Sequence, residues 1–147
     1  MTIKISVVPR LLKTATDMGN SLRPFYGDQV GDAYTQLLKE HITLAGDLIN
    51  ASKKGDKASA GKIKKLWYQN GDEISVFLNS INSFIPLSEF KEMFREHLDM
   101  SKCIVVAMMN KDFGASVTTS DMMLTEGLNM ADVLSGAIIQ QYPRVFV

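Results

Sequence analysis

Residues 28–56 read DQVGDAYTQLLKEHITLAGDLINASKKGD, and the fold class follows from how apolar residues recur along them. At about 100° per residue, Tyr34, Leu37, Leu38, Ala45 and Leu48 fall on one face of a helix, with His41 near the centre of that face. Asp28, following Gly27, is the expected cap of this helix, and Gly55 after Lys54 supplies a left-handed stop. Asp56 is then placed to cap a second helix. Apolar residues at 3, 4 and 7 spacing recur in three further long segments, and no segment sustains the period-two alternation of a half-buried strand. The chain therefore reads as all-α.

Working outward, the second helix extends to about Ile81, where the stretch Asn82-Ser83-Phe84-Ile85-Pro86 breaks it because proline cannot continue the helical ladder. Ser88 is the expected cap of the third, which ends near Asn110 with Gly114 just beyond. Thr118-Thr119-Ser120-Asp121 looks like a capping-box start for the fourth, which stops before Pro143. Short connections force successive helices to run antiparallel, so the sequence predicts an up-down-up-down four-helix bundle over residues 27–142. Residues 1–26 form a short arm, with a helix from about Pro9 to Leu22 and a rigid turn at Arg23-Pro24-Phe25-Tyr26-Gly27, that acts as a lid or mediates a homodimer. One domain is expected for residues 1–147.

Composition excludes several classes of function. With 46% hydrophobic and 22% charged residues among 147, the chain is too apolar to stay disordered. Sixteen Lys and Arg balance sixteen Asp and Glu, so no long-range field recruits nucleic acid or an anionic membrane. No stretch approaches the roughly 20 apolar residues of a membrane span, and the N-terminus lacks the pattern of a secretory leader, so a cytoplasmic location is expected. Phosphate-binding, dinucleotide-binding, hydrolase-elbow and CxxC motifs are all missing, which lowers the prospect of an enzyme. Cys103, in an apolar run, is expected to be a small core residue, and the nine methionines to fill core gaps. Lys53, Lys54, Lys57, Lys62, Lys64 and Lys65 surround a helix junction and read as a solvated corner.

Polar residues on the apolar faces carry the functional expectation. His97 falls with Phe90, Met93, Phe94, Ser101, Ile104 and Met108 on the third helix; Asn70 lies in the stripe of Trp67, Ile63, Ile74, Leu78 and Ile81, with Glu73 at its edge. On the fourth helix Glu126 and Asn129 join Met122, Met130, Val133 and Ala137. Counting about 1.5 Å per residue from the helix ends brings His41, Asn70, His97 and Asn129 to one level, with Glu126 a turn away. Unpaired polar groups of this kind cost roughly 1–3 kcal/mol each, so the layer is mutually hydrogen-bonded, hydrated or ligand-bound. His41, His97 and Glu126 form a donor set suited to a divalent ion such as zinc or iron. Asn70, Glu73 and Asn129 stand behind it, or contact a small polar ligand. Two other readings stay open: a histidine as general acid or base oriented by Glu126 or Glu73, and a self-satisfied layer that only fixes helix register. The spacing of a di-iron carboxylate centre is not met, since the positions three before His41 and His97 are Leu38 and Phe94 rather than Glu.

The ordered segments Pro24-Phe25-Tyr26-Gly27, Lys39-Glu40-His41-Ile42, Asp47-Leu48-Ile49-Asn50-Ala51, Trp67-Tyr68-Gln69-Asn70-Gly71-Asp72-Glu73-Ile74, Glu96-His97-Leu98 and Gln140-Gln141-Tyr142-Pro143 resemble a family of small bacterial helical-bundle proteins with no established activity. The resemblance implies a fold and a bacterial origin, not a reaction. Relatives often carry a further N-terminal helix with a Trp and His motif, and sometimes a further His in the last helix. The matching region here reads Thr125-Glu126-Gly127-Leu128-Asn129, so a histidine-rich family site would be incomplete unless a second subunit completed it.

Overall fold

A computed structural model describes residues 3–146, with side chains from residue 8 onward. Five α-helices account for most of it: α1 (Ile3–Tyr26), α2 (Asp28–Lys53), α3 (Lys57–Ile81), α4 (Leu87–Met109) and α5 (Phe113–Gln141), followed by a short 3-10 turn at Pro143–Val145. Among the described residues there is no strand, and no helix is long and apolar enough to cross a membrane. The first two residues of the predicted arm and Val147 lie outside the description.

The arm is itself a full helix. Where the sequence predicts a short element from Pro9 to Leu22, α1 runs through both Pro9 and Pro24. Its buried residues are Ala15, Gly19 and Leu22, and Gly19 lies against Gly31 and Thr35 of α2. The backbones approach so closely that a Cβ on Gly19 would collide with Thr35 Oγ1 and lie 2.5 Å from the Gly31 carbonyl oxygen. A single residue, Gly27 at φ 83°, makes the turn, a conformation that glycine adopts without strain. Arg23 ties the hairpin together by donating to the Asp28 and Asp32 carboxylates.

The chain divides into two compact units, Met1–Phe77 and Leu78–Val147. In the first, α2 and α3 run antiparallel: Tyr34 stacks on Phe77 at 6.2 Å, and His41, one turn-pair further along, reaches back to Asn70. In the second, α4 and α5 form an antiparallel hairpin over Phe90, Phe94, Leu98, Ala137 and Ile138, all buried. Gln141 donates to the Ile81 carbonyl, fastening the end of α5 to the last residue of α3.

Helix punctuation explains where the boundaries fall. After α2, the Gly55 amide bonds Ser52 and the Asp56 amide bonds Ala51, the paired pattern of a Schellman stop, with Gly55 at φ 71°. Asp56 then accepts from the Ser59 amide at 3.0 Å, which holds its carboxyl below the usual range. At the other junctions the predicted caps shift. Gly27 rather than Asp28 is the cap of α2, and Pro86 rather than Ser88 precedes α4. α5 starts at Phe113, with Asp112 accepting from the Ala115 amide, so Thr118–Asp121 lies inside the helix. There Ser120 bonds back to the Ser116 carbonyl, which occupies the hydroxyl that a cap would use.

Candidate functional site

The predicted polar residues form one hydrogen-bonded pair within each unit. In the first unit, His41 Nδ1 lies 2.8 Å from Asn70 Oδ1, and the Asn70 amide donates to the Leu37 carbonyl at 3.3 Å. The His41 ring stacks on Trp67, with centroids 5.4 Å apart. Asn70 is 2% exposed, and its amide is thereby satisfied by α2 on both sides. Glu73, predicted at the edge of this cluster, points outward and accepts from Gln69 along its own helix.

In the second unit, α4 carries His97 and α5 carries Glu126, and the antiparallel hairpin sets His97 Nδ1 3.0 Å from Glu126 Oε2. Phe94 packs edge-on against the imidazole from one turn before it. Ser101 donates to the His97 carbonyl and lies against Met123 Sδ, fixing the two helices at this level. Glu126 is 7% exposed, yet its second oxygen, Oε1, has no hydrogen-bond partner among the described residues. Burial pushes the Glu126 carboxyl up from its ordinary value, the His97 hydrogen bond pulls it partly back, and the neighbouring Glu96 carboxylate pushes it up again.

Glu126 also forms part of the wall of an open groove between α4 and α5, about 1030 Å³ in volume. Its acidic residues are Glu89, Glu96, Asp99, Glu126 and Asp132; Met93, Met100, Met122 and Val133 supply apolar surface, and among the described residues no Lys or Arg lines it. On α4 the spacing of Glu89, Met93, Glu96 and Met100 is one helical face, and Glu89 to Glu96 spans about 10 Å of rise. Asp99 is partly engaged by Lys102 at 2.8 Å. The helical projections already name Met93, Met122, Val133, Glu126 and Asn129 of this lining, but not its carboxylates Glu89, Asp99 and Asp132. Its signal was present, in acids and methionines alternating at 3 and 4 spacing beside His97.

Several expectations are corrected at this site. Asn129 is exposed on the groove wall rather than buried in a layer. Cys103 is exposed on α4 rather than part of the core. Met108, Met109 and Met122 are about half exposed, so they do not fill core gaps. Of the expected donor set, Glu126 pairs with His97 within the second unit, and His41 pairs with Asn70 within the first. Among the described residues, no three His, Cys, Asp or Glu side chains are grouped to hold a metal ion. What the groove does present is negative charge beside apolar surface, with one buried carboxylate oxygen left to accept a proton donor.

Comparison with family models, with curated proteins and with solved structures finds no match to this chain. The family resemblance rests on the quoted motifs alone.

Proposed function

We propose that this chain is a non-catalytic binding protein whose ligand is a linear aliphatic polyamine held in the α4–α5 groove. The observation that carries this reading is Glu126 Oε1, a buried acceptor with no partner on the wall of a groove rimmed by further carboxylates. An unsatisfied buried oxygen costs about 1–3 kcal/mol, which a ligand ammonium donating to it would recover. Glu96 adds to the attraction, since the repulsion between it and Glu126 is relieved by a cation lying near both. Carboxylates about 10 Å apart on α4 suit a chain whose amines are separated by methylenes, and Met93, Met100 and Met122 offer polarisable contact for those methylenes. Charge in the unit favours the same sign of ligand, because residues 78–147 hold eight of the sixteen acids and five of the sixteen bases.

Calorimetric titration of the full chain with spermidine tests the proposal. Saturable binding is expected, weakened at least tenfold in Glu126→Gln and also reduced in Glu96→Gln, and diminishing as salt rises. Binding that neither substitution alters would place the cation elsewhere and end this reading. The His97–Glu126 pair favours one alternative, in which the carboxylate fixes the imidazole tautomer and the other ring nitrogen transfers a proton. In that case Glu126→Gln would depress turnover of a bound amine substrate while leaving its affinity in place.

A further inference from the structure

α5 has two apolar faces and only one of them is covered by its hairpin. Its buried residues are Ser116, Glu126, Ala137 and Ile138, with Met123 half-buried. At about 100° per residue, Phe113, Val117, Leu124, Leu128 and Ile139 cluster within a sector of about 80° on another side. They are 59%, 62%, 65%, 59% and 48% exposed. Over the 29 residues of α5 the only charged side chains are Asp121, Glu126 and Asp132. A helix that is apolar on both sides is ordinarily buried on both. The groove lies on a third sector, through Thr125, Asn129 and Asp132, so ligand and stripe do not compete.

We infer that this outer stripe is the interface with a second copy of the chain, the two α5 helices lying antiparallel about a two-fold axis at the level of position 126. The spacing of the stripe favours that occupant, because four of its five residues pair about a midpoint at position 126. Under such an axis Phe113 faces Ile139 of the second copy, Leu124 faces Leu128, Val117 faces the small Ser135, and Asp121 faces Ala131. A parallel pair would instead set Asp121 against Asp121 and align the two helix dipoles, so charge selects the antiparallel arrangement. The five exposed residues bring on the order of 500 Å² of apolar surface per copy, most of the roughly 800 Å² per partner of a standard interface. The flanking Ser120, Ala131 and Ser135 add to it.

Light scattering of the full chain is expected to give about twice the 16.3 kDa chain mass at high micromolar concentration. Leu124→Glu combined with Leu128→Glu should give a monomer of unchanged helical circular dichroism, since both residues face solvent in the single chain. In a Cys103→Ser background, mixing the Phe113→Cys and Ile139→Cys proteins under oxidation should yield mixed disulfide dimers in preference to either like pair. A monomer at every concentration, or a dimer indifferent to L124E with L128E, would overturn the interface. Like-pair F113C dimers in preference to mixed ones would overturn the antiparallel register.

Discussion

Tyr34 shows how strongly a single position is governed by its surroundings. Its phenol is 4% exposed and stacks nearly parallel to Phe77, and loss of hydration pushes its pKa up to about 12. Between pH 10 and about 12 the folded chain therefore holds a proton that the unfolded chain releases, so stability falls as pH rises through that window. Followed by absorbance at 295 nm, one of the four tyrosines should ionise only together with loss of the helical signal, and Tyr34→Phe should remove that step. A Tyr34 that ionises in the intact fold would contradict its burial. Glu126 follows the same sign at the acid end. Its neutral form contributes fully below about 4.5 and less as pH rises through its raised value, whereas Asp56, held down by the Ser59 amide, contributes in the opposite direction.

At the scale of elements, the ends of the helices differ in strain. Both α2 and α4 close with the same paired amide pattern, but the left-handed position is Gly55 in one and Lys111, at φ 59°, in the other. Lys111→Gly should therefore stabilise the protein by about 0.5–1 kcal/mol, read as an increase of about 2–4 °C in Tm. An unchanged or lower Tm would mean that the Lys111 side chain contributes more than its backbone strain removes. The Gly55 stop and the Asp56 cap were legible in the sequence because each lies at an abrupt change of composition. The start of α5 was not, because Ser and Thr bond equally well to a carbonyl one turn back, as Ser120 does. α1 was underestimated because packing against α2 through Gly19 and Gly31 outweighs the two prolines within it. The His97–Glu126 contact was within reach of a helical projection, since each residue sits among apolar neighbours on its own helix. Asn129 was misplaced because α5 is apolar on two sides, and periodicity then fixes its phase only to within about half a turn.

For the whole molecule the balance of apolar surface carries the most consequence. The two units differ in what they leave outside. Residues 1–77 expose the lysine corner at the α2–α3 junction, while residues 78–147 expose a carboxylate groove and the apolar stripe of α5. Exposed apolar stripes of this length are uncommon on monomers, and covering one with a second copy links folding to association. The melting temperature then depends on chain concentration, because dissociation accompanies unfolding and mass action favours the folded dimer. With an unfolding enthalpy typical of chains this size, Tm should rise by about 2 to 3 °C for each tenfold increase in protein concentration. Scanning calorimetry across two decades of concentration measures this directly, and the same series on the Leu124→Glu, Leu128→Glu protein should be flat. A slope that persists in that variant would show that association runs through a surface other than α5, and a flat response in both would show that the stripe stays open to water.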